Sequence, residues 1–566
     1  MSLAFQLKST LVHSFLIFVI AVLLNLVYHL LPSFHNGDEG GRLLSHVVCT
    51  GHNHTERRCR FRNLCYKADT KEFVLIVDHN SVVSGVPSDR FRPALADVSS
   101  INNHNRYFFN YVQVLPQSFE QMRHQYDLIY MREDTIIFGR FKPDNLMHLL
   151  HDDIFPLYMT MKQLTVMDVK EMSIFFFDEW NDTFDSPMLQ YAKSIYRKLI
   201  PAKSFLTANQ LSKNQLVCFR NAHVGVSKET TWYDYGFREP QGALPAHGQE
   251  VMLRKTVDAL IDDMGMADKH CDVRRVILIS RRSNRLILNE VQLLKMISIH
   301  SNYELPVVSL RLEGFTNFTD LVWSIRCARV VIGVHGSGLV LSAFLPHDAA
   351  LIEIFPFAIN ADHYTPYKTL CQLLAIKYSS WMNRERENSV THADFPASLG
   401  GINHLPPDKI KEITAGSDVK RHLCCSDPEW LFRIYQDTIV NVDSFSPVFA
   451  NVWHEVTQRT VNQRKRKGLA AAPGAVMSPI CRRNGTAAEI SWTEPWNLDM
   501  IGLTMDDRQT IKYEVIVQGK GRNEREAFVT RSLLLRIRLS GSQNLIWIRC
   551  FVNTMAGPFS PEPVYC

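Results

Sequence analysis

The sequence lacks several patterns that would assign a function directly. It has no Cys-x-x-Cys pair, no Asp-x-Asp motif, and neither the G-x-G-x-x-G loop nor the G-x-x-x-x-G-K-[S/T] loop. These absences disfavour a Cys-x-x-Cys zinc site, a transferase that holds its nucleotide through a metal ion on Asp-x-Asp, and NAD-binding or Walker-type ATP-binding proteins. Net charge is also scarce, because 62 Lys and Arg against 57 Asp and Glu give +5 over 566 residues. So small a charge argues against a dedicated nucleic-acid-binding protein.

Hydrophobic residues are abundant, at 46% of the chain with 10% aromatics. This composition predicts a packed globular protein, and the length favours roughly three or four domains. Residues 11–31 (LVHSFLIFVIAVLLNLVYHLL) predict a transmembrane signal-anchor, since about 20 apolar residues span a bilayer as a helix. A cleaved signal peptide is the alternative, but its apolar run is shorter and ends in small residues.

The charges that flank this segment predict its orientation. Lys8 precedes it, whereas Asp38 and Glu39 follow it, so the short N-terminal tail is predicted to be cytosolic and the bulk of the chain lumenal. The corresponding boundaries are a tail at 1–10 and a stem at 32–47.

Cysteines and glycosylation sequons support the lumenal assignment, because disulfides and N-linked glycans form there. The glycosylation candidates are Asn53, Asn181, Asn317 and Asn484. In the absence of a Cys-x-x-Cys pair, the twelve cysteines are predicted to form disulfides, whose connectivity the sequence leaves open. The adjacent Cys424 and Cys425 are predicted to find distant partners or to stay free, since a bridge between neighbours is strained.

Strand and helix patterns alternate through the middle of the chain. The clearest strands are predicted at Val276–Ser280, Leu305–Leu310, Arg329–Val334 and Ala350–Phe355, with helices beginning near Asn289 and Phe318. A looser version precedes them, with strands at Phe73–Val77, Thr135–Phe138, Ser173–Phe177 and Leu216–Phe219 and helices at Asn145–Leu164 and Pro187–Leu199. This order predicts an α/β domain at 48–461, in which two open halves with parallel strands face each other across a cleft.

The chain changes character after residue 461. Residues 462–472 contain the basic run Arg464–Lys467 without apolar periodicity, which indicates a solvated linker; a nuclear-localisation signal is the alternative, but it would have no use in a lumenal chain. Short alternating strands then predict a small all-β sandwich at 473–566. Those strands are Ile490–Trp492, Tyr513–Val517 and Leu545–Val552, the last with Ile546, Ile548, Cys550 and Val552 on one face.

Ligands of open α/β sheets lie outside the carboxyl ends of the strands, and three segments stand there. The turn Gly333–Gly338 follows a buried strand, where glycines let a phosphate approach backbone N–H groups. Arg281 and Arg285 follow another strand of the same sheet and suit diphosphate oxygens. Glu353 ends a third strand, where a carboxylate can accept hydrogen bonds from ribose hydroxyls. The alternatives are a packing turn, solvated arginines and an ordinary charge at a strand end.

The earlier segment Asp144–Asp153 is rich in groups that transfer protons. On a helix, His148 and Asp152 are separated by four residues and share a face. Either could remove the proton from an attacking hydroxyl. The alternatives are a helix N-cap at Asp144 or Asn145 and a buried, hydrogen-bonded histidine.

Taken together, these motifs resemble glycosyltransferase family 61. They are Asn145–Leu157 with His148, Asp152 and Pro156, Ser280–Glu290, Gly333–Leu339 and Ile352–Glu353. Longer stretches discriminate better than a glycine turn does, and they lie at Arg58–Phe61, Thr231–Phe237, Asp362–Leu370 and Arg421–Thr438. The resemblance covers roughly residues 48 to 460, and the C-terminal sandwich is similar to a fibronectin type III module.

The resemblance implies an inverting, GT-B-like enzyme with two Rossmann-like halves. The implied reaction moves GlcNAc from UDP-GlcNAc to the 4-hydroxyl of mannose O-linked to α-dystroglycan. The implied location is the endoplasmic reticulum membrane, with a single-pass type II topology and a lumenal catalytic domain. No motif requires a tightly bound cofactor or a divalent metal, and no nucleic-acid partner is expected.

The resemblance also implies roles for individual residues. Asp152 would deprotonate the mannose hydroxyl, with His148 orienting it or exchanging roles with it. Glu353 would orient the ribose. The remaining residues expected to hold UDP are Arg281, Arg285, His335, Gly336, Ser337 and Gly338. Two alternatives stay open: a lumenal glycan-binding protein that has lost catalysis, and an O-GlcNAc transferase of the same family that acts on EGF-like domains.

Overall fold

The protein is described here by a computed structural model. It describes residues 43–100, 108–164, 171–180, 187–200, 202–235, 241–244, 249–267, 269, 271, 273–301, 305–421, 423, 426–458, 473–495, 498, 508–519, 525–541, 543–552, 555–560 and 563–566. The predicted tail, membrane span and most of the stem lie outside these ranges, as do the basic linker, Asn181, Cys424 and Cys425. No helix within them is long and apolar enough to cross a membrane.

The N-terminal half is built on a mixed β-sheet. Its strands and the short ribbons beside it are β1 His46–Thr50, β2 Arg58–Lys67, β3 Glu72–Ile76, β4 Val83–Ser84, β5 Ala96–Asp97, β6 Phe108–Phe109, β7 Tyr111–Val114, β8 Asp127–Phe138, β9 Ser173–Phe176, β10 Ser204–Thr207, β11 Gln215–Val224, β12 Tyr233–Asp234 and β13 Gly242–Ala243. The main sheet runs in the order β10-β9-β8-β11-β2-β1-β4, with β3 paired to β2 and β7 paired to β3. Strands β8 to β11 are parallel to one another, whereas β2 is antiparallel to β11, β1 and β3.

The C-terminal half of the same α/β region carries a fully parallel sheet. Its strands are β14 Arg275–Ser280, β15 Val307–Arg311, β16 Ala328–Val334, β17 Ala350–Phe355 and β18 Lys377–Met382, and β19 Ser389–Val390 and β20 Asp437–Thr438 form a separate ribbon. The sheet order is β15-β14-β16-β17-β18, and every neighbouring pair is parallel. The four strands predicted for this sheet are therefore confirmed, each to within three residues.

Helices cover these sheets. They are α1 Pro116–Arg123, α2 Leu146–His148, α3 Phe155–Leu164, α4 Pro187–Leu199, α5 Gln249–Asp263, α6 Glu290–His300, α7 Phe318–Arg326, α8 Pro366–Leu373, α9 Pro407–Ala415, α10 Pro428–Ile434 and α11 Val442–Gln458. Between α2 and α3 the chain forms a π-helical turn at Leu149–Ile154, and a 3₁₀ segment at Ser337–Phe344 follows β16.

Alternation along the strands explains why helices lie on both faces of the parallel sheet. Ile277 and Val331 point to one side, where they pack with Leu321 of α7 and Leu370 of α8. Their neighbours in the strands point to the other side and pack against α6 and α11. Burial on two faces accounts for the almost continuous apolar character of these strands.

One hydrophobic core joins the two halves. It contains Ile136 and Phe176 of the mixed sheet together with Ile279 and Leu351 of the parallel sheet. The two halves therefore pack as a single unit across their inner faces.

The mixed sheet differs from the parallel half that the pattern predicts. All four predicted strands exist, but β11 continues to Val224 and is followed in the sheet by the antiparallel strand β2, Arg58–Lys67. Arginines alternate with apolar residues in β2, which hides its strand character, and Arg60 donates from Nη1 to the Ser560 carbonyl of the C-terminal region at 3.0 Å.

The C-terminal region consists of two antiparallel sheets that enclose one apolar core. Its strands are β21 Met477–Asn484, β22 Ala487–Thr493, β23 Lys512–Gly519, β24 Arg525–Thr530, β25 Leu534–Arg538, β26 Asn544–Val552, β27 Met555–Ala556 and β28 Val564–Tyr565. One sheet has the order β21-β22-β25, and the other has β24-β23-β26 with β27 and β28 beside β26. The predicted inward face of β26 is confirmed, since its four residues are all fully buried in this core.

Disulfides connect strands and the segments beside them. The pairs are Cys49–Cys59, Cys65–Cys218, Cys271–Cys327 and Cys481–Cys566. Cys371 and Cys550 are buried free thiols. The predicted use of cysteines in disulfides is confirmed for these pairs, whereas Cys550 stays outside them because its side chain belongs to the sandwich core.

Candidate active site

The segment that begins at Asn145 combines a helix cap with a π-helical turn. The Asn145 side-chain oxygen accepts a hydrogen bond from the Met147 amide at 3.0 Å, so its capping role is confirmed. All six residues of the turn Leu149–Ile154 are buried. Such turns are often found at functional sites, because the extra residue redirects side chains. Here the turn brings His148, His151 and Asp152 together.

Asp152 lies at the centre of this cluster and is fully buried. His148 Nδ1 lies 2.6 Å from its Oδ2, and the Tyr235 hydroxyl donates to the same oxygen at 3.2 Å. His151 Nδ1 contacts the other oxygen. Burial alone would raise the pKa of Asp152, but the attraction of His151 and the hydrogen bonds from His148 and His151 outweigh it and hold the pKa below its ordinary value. Asp152 is therefore a stable carboxylate that is shielded from ligand.

The two histidines differ in what they can offer a substrate. His151 Nε2 accepts hydrogen bonds from the amides of Trp232 and Tyr233, at 3.0 and 3.3 Å, so its proton resides on Nδ1 and faces Asp152. The His151 side chain is fully buried, whereas 15% of the His148 side chain is exposed. Because Nδ1 of His148 faces Asp152, only its Nε2 can accept a proton from a substrate.

A second cluster lies at the carboxyl ends of β14 and β16. Arg285 donates from Nη1 to the His335 carbonyl at 2.8 Å, and Arg281 donates to the carbonyl and side-chain oxygens of Asn284, both at 3.1 Å. These acceptors are neutral, so the two positive charges stay available to an anionic ligand. Burial, followed by repulsion from Arg281, lowers the pKa of Arg285 to about 10. A guanidinium with that pKa is still charged at neutral pH.

The glycine turn lies directly beneath these arginines. A Cβ placed on Gly336 would lie 2.7 Å from Nη1 of Arg285 and 3.2 Å from Nη1 of Arg281. A side chain at this position would therefore displace the guanidiniums. Gly336 is thus a point of close approach, and the atoms that approach it are arginine nitrogens. The phosphate contact expected at this turn stays a prediction.

Glu353 lies behind this cluster. Its carboxylate is fully buried, with Oε1 2.5 Å from His335 Nδ1 and Oε2 accepting from the Tyr378 hydroxyl at 2.7 Å. Burial and the negative charge of Glu353 raise the pKa of Tyr378 strongly, so that hydroxyl keeps its proton. The ribose contact predicted for Glu353 does not fit these contacts, because both carboxylate oxygens face protein groups inside the core.

Aromatic side chains connect the two clusters. The Tyr367 ring lies 5.5 Å from that of His335, and Tyr367 adds to the rise in the pKa of Tyr235 that burial and Asp152 cause. Trp232 Nε1 donates to the Pro366 carbonyl at 2.8 Å. In addition, α2 packs against the 3₁₀ segment that follows Gly336. The histidine–aspartate pair and the arginine pair therefore border one site.

Sequence reasoning missed three contributors to this site: His151, Tyr235 and Tyr378. His151 lies within the segment that the sequence singles out, but nothing there shows that its Nε2 faces two backbone amides. Tyr235 and Tyr378 contact Asp152 and Glu353 from 83 and 25 residues away. No local spacing could signal such contacts.

Comparison with known proteins gives a consistent result. Residues 146–352, from the first residue of α2 into β17, match the family Glycosyltransferase 61. The chain is similar to protein O-linked-mannose β-1,4-N-acetylglucosaminyltransferase 2 of Mus musculus, with 36% identity over 545 residues that cover 92% of this chain and 88% of that protein. The Homo sapiens protein of the same name gives the same values, and that of Xenopus laevis is 35% identical over 541 residues, with coverages of 92% and 88%.

Solved structures resemble a small part of the chain. The sixth fibronectin type III domain of human fibronectin type III domain containing protein 3 is 19% identical, with a TM-score of 0.14, and the match covers 18% of this chain and 90% of that domain. A score this low supports no assignment.

Proposed function

The chain belongs to glycosyltransferase family 61, and from that premise we propose that it transfers GlcNAc from UDP-GlcNAc to the 4-hydroxyl of a protein-linked mannose, with inversion at the anomeric carbon. The 36% identity to a transferase with this name over 92% of the chain supports the proposed substrates. The observation that carries the mechanism is that Tyr367 interacts with both clusters: with Tyr235, which contacts the buried aspartate–histidine pair, and with the arginine pair, whose hydrogen bonds go to neutral oxygens.

The acceptor hydroxyl is activated by His148. Its Nε2 takes the proton of the mannose 4-hydroxyl while the oxygen attacks the anomeric carbon of GlcNAc. The buried Asp152 carboxylate holds Nδ1 and stabilises the imidazolium that forms. This assignment exchanges the roles expected from the sequence, since Asp152 is fully buried and His148 is the partly exposed member of the pair.

The donor is activated at the arginine pair. As the bond from the new acceptor oxygen to the anomeric carbon forms, the bond from that carbon to the diphosphate breaks, and negative charge moves onto UDP. Arg281, Arg285 and the backbone N–H groups of Ser337 and Gly338 stabilise that charge with groups that are already in place. Glu353 acts through His335, whose ring it orients beside the turn.

The arginine pair supplies two positive charges where other transferases use a divalent cation, and the proposal requires no metal. Turnover in the presence of a chelator is therefore expected to match turnover without it. A loss of activity that magnesium or manganese restores would contradict this part of the proposal.

We also propose that the C-terminal region is a fibronectin type III module that presents the glycopeptide acceptor. A single mannose offers little contact area, so additional peptide contacts would add affinity and specificity. The acceptor we propose is O-mannosylated α-dystroglycan, and residues 11–31 are proposed to anchor the enzyme in the endoplasmic reticulum membrane with the catalytic domain in the lumen. The firm packing of the C-terminal region on the catalytic part supports a shared acceptor surface.

The decisive experiment incubates the soluble lumenal part with UDP-GlcNAc and one of two acceptors. GlcNAc transfer to an O-mannosylated peptide and not to a folded EGF-like domain is the expected result, with a β-1,4 linkage determined by NMR. Transfer to the EGF-like domain alone would instead identify an O-GlcNAc transferase that acts on EGF-like domains. Binding of the mannosyl peptide without turnover would indicate a glycan-binding protein.

A further inference from the structure

Arg285, which is central to the proposed donor site, has an unusual backbone. Its φ angle is +55°, in the left-handed region that residues other than glycine adopt rarely. Such a conformation costs free energy and persists only where neighbouring groups hold it. The contacts of the next residue, Leu286, show what holds it.

Leu286 is clamped on both sides by the β20 ribbon. Its amide donates to Asp437 Oδ1 at 2.7 Å, and its carbonyl accepts from the Thr438 amide at 2.8 Å. The Leu288 amide then donates to the Thr438 carbonyl at 2.9 Å. These bonds fix the chain immediately after Arg285.

The same segment also touches the Arg285 side chain. The Tyr435 ring lies under the guanidinium, 4.9 Å from its Cζ atom. Asp437 itself is almost fully buried, and its second oxygen lies 2.9 Å from His392 Nε2. The carboxylate is therefore directed at Leu286 from a rigid position.

We propose that Asp437 is a positioning residue for nucleotide binding: it fixes the backbone of Leu286 and so aims the Arg285 guanidinium at the diphosphate. The proposal deepens the proposed function, because it rests on Arg285 binding UDP. Asp437 does not touch the ligand, so all of its effect passes through Arg285.

The test measures the dissociation constant of UDP alone by calorimetry, together with the KM values for UDP-GlcNAc and for the mannosyl peptide. Asp437→Ala is expected to raise the UDP dissociation constant and the donor KM about tenfold, which corresponds to the loss of roughly one hydrogen bond to a charged group. The acceptor KM should stay within twofold. Asp437→Asn, which keeps an oxygen for the Leu286 amide, should restore most of the affinity.

Two further variants separate positioning from general stability. His392→Phe removes the second partner of Asp437 but keeps the stacking on Phe395 and the hydrogen bond from the Leu286 amide, so it should raise the UDP dissociation constant less than Asp437→Ala does. In an Arg285→Ala background, Asp437→Ala should have no further effect on UDP binding. If Asp437→Ala lowered UDP affinity as much in the Arg285→Ala background as in the wild type, the proposal would be overturned. A folded Asp437→Ala protein with unchanged UDP affinity would also overturn it.

If Asp437→Ala does not fold, Asp437→Ser, which keeps a short polar group, takes its place with the same expectations. A wild-type protein that does not bind UDP would overturn this proposal and the donor assignment together. UDP binding without GlcNAc transfer would overturn only the proposed reaction and leave the role of Asp437 to be decided by the variants.

Discussion

His148 Nδ1 lies 2.6 Å from Asp152 Oδ2, across the boundary between α2 and a π-helical turn. The pair is anchored from behind, because His151 and Tyr235 also contact the carboxylate. This arrangement leaves the aspartate without an exposed face and directs only the His148 ring at the site.

The first prediction concerns the identity of the base. His148→Ala should lower kcat about 10²- to 10⁴-fold, the usual contribution of a positioned base, and leave the donor KM within a few fold. Asp152→Asn should also lower kcat, because an amide cannot stabilise the imidazolium. Steady-state kinetics with UDP-GlcNAc and a mannosyl peptide measure both.

The controls for this prediction are the donor KM and an exposed histidine. His79→Ala, on the surface of the N-terminal half, should leave kcat unchanged. If Asp152→Asn lost far more activity than a folded His148→Ala variant, Asp152 would be the base, as the resemblance to the family implies.

The second prediction uses the adjacent carboxyls of Asp152 and Asp153, whose pKa values are shifted in opposite directions. Asp152 has a lowered pKa, whereas burial raises the pKa of Asp153 far above its ordinary value. A lowered pKa stabilises the fold at neutral pH, and that contribution is lost as the pH falls below about 4. A raised pKa acts in the opposite sense: the fold is favoured in acid and loses stability as the pH rises above about 4.

Melting temperatures at about pH 7 and about pH 3 test these signs. Asp152→Asn should lower the melting temperature more at pH 7 than at pH 3. Asp153→Asn keeps an oxygen for the Phe141 amide. Its melting temperature should equal or exceed that of the wild type at pH 7, and the gain over the wild type should be smaller at pH 3. Equal effects of the two substitutions at both pH values would contradict the opposite shifts.

Much of the site could be predicted from the sequence because its residues follow strands of clear pattern. Arg281, Arg285 and Gly336 stand at the ends of β14 and β16, where strand–helix alternation puts ligand contacts. The spacing of four residues also places His148 beside Asp152. Which member of that pair is exposed depends on His151 and Tyr235, which cover the Asp152 carboxylate, and no local pattern records these contacts.

The mixed sheet was harder to predict for a similar reason. The arginines of β2 interrupt its apolar run, and some of them contact the C-terminal region about 500 residues away. The role of Glu353 also depended on a distant residue, since Tyr378 donates to one of its carboxylate oxygens while His335 contacts the other. Contacts of this kind arise only when the sheet has formed.

The third prediction concerns the glycine beneath the arginines. Gly336→Ala should raise the donor KM about tenfold or more, because the new methyl group lies within 2.7 Å of Arg285 Nη1 and displaces it. Gly314→Ala is the matched control, since a Cβ there would meet no atom within 4 Å. Kinetics that vary UDP-GlcNAc at a saturating acceptor concentration measure the difference. A normal donor KM in Gly336→Ala would show that the arginines need not occupy this position.

The fourth prediction concerns the partners of His335. Glu353→Gln should lower kcat/KM for UDP-GlcNAc about tenfold, because the amide weakens the charge-assisted bond that orients the histidine ring. Tyr378→Phe removes a neutral donor to the same carboxylate and should have a smaller effect. The experiment compares the loss of kcat/KM for UDP-GlcNAc in the two variants, with melting temperatures as the control for folding. A larger loss in Tyr378→Phe than in Glu353→Gln would place the hydroxyl, rather than the carboxylate, in control of the ring.

The fifth prediction tests whether the C-terminal region presents the acceptor. Trp547 lies on the outer face of β26 and packs with Val48 and Val82 of the catalytic part. Replacing a buried tryptophan by alanine costs about 3–5 kcal/mol, so Trp547→Ala should loosen this contact. We expect the KM for a mannosyl peptide to rise while the rate on free methyl mannoside stays unchanged.

Two comparisons make this test specific. Val529→Ala, at an exposed position of the same region, should change neither the KM for the mannosyl peptide nor the rate on methyl mannoside. Deletion of residues 473–566, in a truncated protein that folds, should likewise impair transfer to the mannosyl peptide more than transfer to methyl mannoside. Equal losses on peptide and methyl mannoside would mean that the contact serves stability alone, because a module that presents the peptide must discriminate between an acceptor with a peptide and one without.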